Sequence, residues 1–400
     1  MRLQQQYPVL AELLKPFRLS QVKTLVAVLS ALLEVGAMRS LAIAQCLSAH
    51  LGVQVDSALT RFYRLVANER IENELLSEVL LAALAQKPGD VLIALDWTEW
   101  VREKRVLVAA VIVGTRAIPV AAATHRKATF LRSQNAFEND FLLRLKAILS
   151  RLGIRVVILA DRGFRRAKLI RVLSTELQLG FVIRLIDDVA VLTNGRWSRL
   201  RDFHLQPGQA CELGVVDLGR DRSNRVPVRV VGIRALGQKQ TWWLATSESC
   251  SLSHVAAMYD RRMAVEEQFR DVKGSSFGFQ MEWTQFDRED HIDRLFLLVG
   301  IVVFVLIGIG RLVSQSRPHV RFRHPEKGPR QSYLTVGQSW ARWAVLHLNL
   351  ALSAMIRAVP KPAYRHERFS WAADIVVCPT LLVARGRAAA AKNREVPMQN

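Results

Sequence analysis

Cysteine is scarce in this chain. Four stand in 400 residues, Cys46, Cys211, Cys250 and Cys378, and none forms a CxxC pair. That excludes a disulfide framework and a cysteine-built zinc finger, and gives the expectation of a reducing compartment with no structural zinc. Acidic side chains are also short: 35 Asp and Glu against 56 Lys and Arg, for a formal charge of +21. Such a balance points to a polyanionic partner, nucleic acid first and an anionic membrane surface second. The apolar stretch Leu295 to Gly310 is sixteen uncharged residues between Arg294 and Arg311. It falls short of the roughly twenty that span a bilayer, so it reads as a buried core helix and no membrane is expected. The N-terminus lacks the basic stretch, apolar run and small-residue cleavage site of a signal peptide, which makes the expected location cytoplasmic. No internal repeat is present.

What is there is a large apolar fraction, half of all residues, in a chain long enough for two to four domains. Residues 1–88 read as a helical N-terminal domain, with apolar spacings of three and four and with Gly36 and Gly52 as helix stops. Asp56 and Ser57 are expected to cap a last helix carrying Arg61, Tyr63 and Arg64, a helix-turn-helix pattern that suits DNA. Residues 89–186 then alternate as β-β-β-α-β-α-β, an α/β layer of three antiparallel strands followed by parallel ones, with a helix predicted to stop at Gly180. Residues 187–253 favour short strands and turns and read as an inserted β-rich subdomain. Residues 254–314 supply one charged helix and the apolar helix. Residues 315–400 form a basic C-terminal region, the last ninety residues (311–400) carrying net +11, with a proline-rich loop containing Arg317, Arg321 and Arg323 and a frayed end.

Two predicted buried strands end on a carboxylate, "VLIAL" on Asp96 and "VVILA" on Asp161. Buried strands rarely carry Asp without a partner or an ion. The simple alternative is that either Asp caps a turn or pairs with Arg162. In the expected sheet the two strands are neighbours, and Glu266 on the charged helix can complete a cluster of three oxygen donors. Such a cluster suits two Mg²⁺ ions, with Mn²⁺ as a substitute, and not zinc. The same helix, "YDRRMAVEEQFRDVK", places Tyr259, Arg262, Glu266 and Lys273 on one stripe about 60° wide if it is continuous.

These residues resemble a known family. Tyr259, Arg262, Glu266 and Lys273 have the spacing of the Tyr-Arg-Glu-Lys signature of IS4-family DDE transposases, the enzymes of bacterial insertion sequences. Asp161, Arg162, Gly163 and Phe164 match the family's second-Asp motif, Asp96 matches its first Asp, and "RFYRLVAN" resembles a segment of its DNA-binding region, with Leu65 where Asn is usual. The resemblance covers about residues 55–310. It implies an RNase H-like catalytic core with the β-rich insertion. It further implies that Asp96, Asp161 and Glu266 are catalytic and hold the metals, and that Tyr259, Arg262 and Lys273 grip DNA phosphates, with Arg162 among the DNA-binding residues. In some relatives a Trp at the end of the insertion stacks on a flipped base. Trp242 is favoured here, and Trp243 stays open. The implied activity is metal-dependent cleavage at the terminal inverted repeats of a transposon and strand transfer into target DNA, by a dimer in the synaptic complex. A structure-specific nuclease of the same core and a non-catalytic DNA-binding repressor are the alternatives.

Overall fold

The computed structural model describes residues 8–85, 89–127, 134–274, 279–284, 286–320, 323–324, 328–329, 331–347, 352–359 and 376–378. In chain order the helices α1 (Pro8–Leu13), α2 (Leu19–Val35), α3 (Ser40–Leu51), α4 (Val55–Val66) and α5 (Asn73–Leu84) precede strands β1 (Val91–Trp100), β2 (Lys104–Val113) and β3 (Arg116–Arg126). Helix α6 (Gln134–Leu152), β4 (Val156–Ala160), α7 (Ala167–Arg171), β5 (Gly180–Leu185), β6 (Ala190–Thr193), β7 (Arg196–Arg199), β8 (Gln209–Leu218), β9 (Val226–Arg234) and β10 (Trp242–Thr246) follow. Helices α8 (Leu252–Asp260), α9 (Ala264–Lys273), α10 (Glu289–Ser316), α11 (Tyr333–His347) and α12 (Leu352–Ala358) come last, with short strands β11 (Arg323–His324), β12 (Gly328–Pro329) and β13 (Val376–Cys378). Two compact units result. The first draws on Met1–Ala160, Leu177–Gly180 and Met258–His366, the second on Asp161–Glu176, Phe181–Ala257 and Glu367–Asn400.

The first unit contains the β-β-β-α-β part of the expected α/β layer, whose last helix and nearly all of its last strand belong to the second unit. β1 pairs antiparallel with β2, β2 with β3, and β1 parallel with β4, so the first and fourth strands are neighbours. The β2–β3 connection is Gly114–Thr115, and the positive φ of Gly114 (63°) is what a two-residue hairpin asks of its first position. Pro119 sits inside β3 where the register shifts, Ala109 facing Ala121 and Ala110 facing Pro119. A bulge is where a residue with no N–H to give can stand in a paired strand.

The N-terminal region is helical, as the spacing predicts. Gly36 and Gly52 terminate α2 and α3 in the left-handed conformation, φ 67° and 65°, with their N–H groups returned to Leu32 and Ser48. One expectation fails here: Gln54, not Asp56 or Ser57, is the N-cap of α4, which places Asp56 in the first turn. An acid there complements the helix dipole without capping a specific N–H.

The apolar stretch lies within a 28-residue helix, α10, whose residues 295–310 are all buried. α10 is long and apolar enough to cross a membrane, but 89% of its most apolar window is covered by the rest of the protein. A helix apolar all round is one surrounded by protein or lipid, and here α5, β3 and α11 lie against it. Buried Arg294 donates to the backbone carbonyls of Ile71 (3.1 Å) and Val66, tying α10 to the end of α4. Burial pulls the pKa of Arg294 below that of a free guanidinium, with Asp290 and Asp293 opposing.

Asp293, one residue earlier, accepts a 2.6 Å hydrogen bond from the Thr124 hydroxyl. Burial pushes its carboxyl up to about 7, despite that bond. Its pKa is therefore higher folded than unfolded, and the folded protein holds the extra proton between about pH 4 and pH 7. Stability is lost as pH rises through that window. Asp293→Asn removes the slope, so the variant gains on the parent by up to about 4 kcal/mol between pH 4 and 8, at about 1.36 kcal/mol per unit. Urea unfolding across pH checks this; parallel profiles for the two proteins would rule it out.

The second unit carries the remaining strands. β10 pairs antiparallel with β5 and β9, β9 with β8, β8 with β6, and β6 with β7, while β13 runs parallel to β8. The helix expected to run to Gly180 is shorter than the spacing predicts. α7 ends at Arg171 and passes into a π turn, Val172–Glu176, and Gly180 begins β5 instead. The hydroxyls of Ser174 and Thr175 bond back to the carbonyls of Ile170 and Arg171, a side-chain competition that loosens a helix end.

Candidate active site

The parallel pairing of β1 with β4 stops at Leu95 opposite Ala160, whereas β1 stays paired with β2 through Trp100 opposite Lys104. Asp96 is therefore inside β1 and not at its end. It stands at the first position past the last β1–β4 pair. Asp96 Oδ1 accepts the N–H of Trp97 (2.8 Å), and Oδ2 accepts from Arg262 Nη1 (3.1 Å). Arg262 Nη2 donates to Glu266 Oε1 (2.9 Å). A carboxylate from a strand and one from a helix, 170 residues apart in sequence, thus converge on one guanidinium.

The charged segment is not one α-helix. Arg261–Met263 form a 3₁₀ turn between α8 and α9. A 3₁₀ turn advances about 20° per residue more than an α-helix, so three residues rotate the two ends by about 60° relative to each other. That rotation splits the expected stripe. Tyr259 turns inward and is 4% exposed, while the Glu266 side chain, 41% exposed, faces solvent. Arg262 is buried as well. Burial opposes its charge, and Tyr259, Asp96 and Glu266 outweigh that and raise its pKa. Lys273, at the end of α9, donates to the Glu99 carbonyl and lies 3.2 Å from Glu282.

The neighbouring acid, Glu267, is engaged differently. Arg116 (2.8 Å) and Arg270 (2.6 Å) both hold it, and Arg116 also reaches Asp271 at 3.2 Å. Burial pushes the Asp271 carboxyl up to about 6, with Arg116 opposing. Sequence reading missed Arg116 and the buried Glu138, which accepts from Trp97 Nε1 (2.9 Å) and Gln134 (2.8 Å). A buried Glu in α6, one partner away from Asp96, has no periodic signal of its own.

In the second unit, Asp161 directly follows β4. Its Oδ1 accepts the Gly163 N–H (2.8 Å) and caps the short turn Arg162–Phe164, whose Phe164 is buried and whose Arg162 is exposed. The turn-capping role weighed for Asp161 is thus real, and it occupies one carboxylate oxygen. A Cβ at position 163 would come within 2.9 Å of Asp161 Oδ1, so Gly163 keeps that carboxylate in place. On β10, Trp243 is buried against Gly232, and Trp242 is half-buried with Arg184 6.0 Å over its ring.

On α4, Arg61, Tyr63 and Arg64 are all exposed. Beside them opens a cleft of about 710 Å³ lined by Arg39, Tyr63, Trp283, Phe286, Arg288 and His291. Trp283 is 66% exposed there, and nothing in the sequence pattern singled it out. Of the basic loop, Arg317 stacks over Trp343 at 4.4 Å, and Arg321 lies outside the described residues.

Asp96 and Glu266 are hard oxygen donors already gathered about a positive charge, which fits a hard divalent ion. No curated protein matches this chain. The family model described as "Transposase DDE domain" matches residues 87–302, which include Asp96, Asp161 and Glu266. Members of that family generally use divalent metal ions and act on DNA. With more than half its length matched and its acids within the match, the chain belongs to the transposase DDE domain family.

Proposed function

We propose that the chain is a cut-and-paste DNA transposase of the IS4 type, with Asp96, Asp161 and Glu266 as its catalytic acids. The observation that carries this is the convergence of Asp96 and Glu266 on the Arg262 guanidinium. Asp161 is one peptide bond beyond Ala160, which faces the residue before Asp96 in the sheet register. Divalent ions, Mg²⁺ or Mn²⁺, would supply charge neutralisation at the phosphodiester and activation of water. The protein's part is to hold the oxygens, orient the DNA and exclude other nucleophiles.

In this reading Arg262 is a placeholder as well as a phosphate ligand. It neutralises the two carboxylates when no DNA is bound, and its fork pairs with a phosphate when DNA arrives. Buried Tyr259 holds that guanidinium. Lys273 and Arg162 contact the DNA backbone, Trp242 stacks on a base, and Arg61 and Arg64 on α4 recognise the terminal repeat. The active form is a dimer that pairs two transposon ends in the bacterial cytoplasm, at the nucleoid.

The test is to incubate the purified protein with Mg²⁺ and a plasmid carrying its own element's ends, and to map every new 3′ and 5′ terminus. The expected products are cuts at both ends and 3′ ends joined to target DNA. Cuts without joining indicate a nuclease, and tight end binding without cuts a repressor. A finer variant is Gly163→Ala, which pushes on the Asp161 carboxylate without removing it. Cleavage is expected to fall about tenfold or more, the cost of small misplacement of a reacting group, with folding unchanged by circular dichroism. Full activity in this variant would take Asp161 out of the site.

A further inference from the structure

We propose that Glu34, Cys46 and His50 form a binding site for Zn²⁺, or another divalent ion that prefers sulfur and nitrogen, within the N-terminal helices. Scarce cysteine argues against zinc at the level of composition. The fold brings together what the sequence scatters. Cys46 and His50 lie four residues apart on α3, which puts both on one face. Gly36 ends α2 in the left-handed conformation and turns the chain back, and Glu34, in the last turn of α2, meets that face. Glu34 Oε2 lies 3.0 Å from His50 Nε2 and 3.8 Å from Cys46 Sγ, and one ligand atom from each residue falls within 4.8 Å of the others.

Those separations are the edges of a coordination polyhedron. Zinc bonds of the usual lengths to N, O and S at tetrahedral angles place the ligand atoms about 3.3 to 3.6 Å apart. The two Glu34 edges are within a few tenths of an ångström of those lengths, and the Cys46–His50 edge, no longer than 4.8 Å, has to close by about 1.2 Å at most to seat the ion. The charges also close: a thiolate and a carboxylate cancel a divalent cation, and neutral imidazole is the third donor. Without metal, the thiol and the imidazole both donate toward the same carboxylate oxygen. Binding releases the thiol proton to solvent, and the imidazole proton moves through solvent from Nε2 to Nδ1, which frees the Nε2 lone pair for the ion. Glu34 and His50 keep 15% and 24% of their side-chain surface exposed, which gives the ion an entry path and water as a fourth ligand.

This site is separate from the acids of the proposed reaction, and its chemistry is different. Asp96 and Glu266 offer oxygen alone, whereas this cluster offers sulfur, nitrogen and oxygen. Its place in the fold indicates what it does: it clamps α3 to α2 just ahead of α4, whose Arg61, Tyr63 and Arg64 are exposed.

The experiment uses the full chain, stripped with chelator and titrated with Co²⁺ in the absence of DNA. A thiolate-to-cobalt charge-transfer band is expected to saturate at one equivalent and to vanish on adding Zn²⁺. It should be absent in Cys46→Ser and need at least about tenfold more metal in His50→Gln and Glu34→Gln, since loss of even an outer partner of a ligand costs that much. It should persist in Asp96→Asn. A second measurement does not depend on any variant folding: alkylation of wild-type Cys46, read by peptide mass spectrometry, should slow at least tenfold with Zn²⁺ and not with Mg²⁺. No cobalt–thiolate band, or a Cys46 alkylation rate indifferent to Zn²⁺, overturns the proposal.

Discussion

Asp96→Asn and Glu266→Gln should each lower Mg²⁺-dependent cleavage at transposon ends by about a thousandfold or more, while DNA binding stays intact. Both substitutions keep the shape of the side chain and remove only its charge. Losing one anionic ligand takes away several kcal/mol of transition-state charge stabilisation, and about 4 kcal/mol is already a thousandfold. Binding is expected to hold or tighten, since the change removes negative charge from a surface that meets phosphate. Glu267→Gln is the internal control. It lies next to Glu266 in sequence, but its carboxylate is held by Arg116 and Arg270, so cleavage should stay within about tenfold of the parent. Arg262→Gln separates the two roles of the guanidinium. It should weaken strand transfer and at the same time lower the Mg²⁺ concentration needed for binding, because a fixed cation no longer competes at Asp96 and Glu266. Gel-shift binding, end cleavage and Mg²⁺ titration measure these quantities separately. Robust cutting by either acid variant would remove that residue from the site.

Much of this was legible in the sequence, for identifiable reasons. The continuous apolar runs before Asp96 and Asp161 read as buried strands because a parallel pair is covered on both faces, and β1 does pair with β4. The signature spacing points to Glu266 and not to its neighbour Glu267, and the two have different partners, Arg262 for Glu266 and Arg116 with Arg270 for Glu267. Three features could not be read. Asp96 lies inside its strand because β1 outlasts β4 by five residues on the β2 side, and strand length depends on the partner, not on the strand. The 3₁₀ turn at Arg261–Met263 has no composition signal, yet it turns Tyr259 into the core. The Glu34–Cys46–His50 cluster had a visible half, the four-residue spacing on α3, but its third member comes from another helix. Helix α11 was read as part of a basic tail, although Ser332 accepts the Thr335 N–H as a cap. Two glycines within the α10–α11 pair carried the information that was passed over.

Those glycines supply the second large effect. A Cβ on Gly310 of α10 would overlap the Tyr333 carbonyl, and one on Gly337 of α11 would overlap the Leu306 carbonyl. The helices therefore touch backbone to backbone, each through a residue without a side chain. Helix propensity alone says that Gly310→Ala stabilises by about 1 kcal/mol, since Ala is the better helix former. Packing says the opposite. The obstructing atoms are backbone oxygens, which no rotamer change can move, so the helices must separate along a crossing that buries α10. The expected result is a net loss of about 3 kcal/mol or more, the upper end for overpacking. Gly36→Ala is the contrast. Nothing lies within 4 Å of the added Cβ there, and the cost is only the left-handed backbone at φ 67°, about 1 kcal/mol. The Gly310→Ala, Gly337→Ala double variant should lose less than the sum of the two, because one separation relieves both contacts. Urea midpoints for the three single variants and the double decide the matter. A stabilised Gly310→Ala would mean that propensity governs this helix and that α10 and α11 do not meet as described.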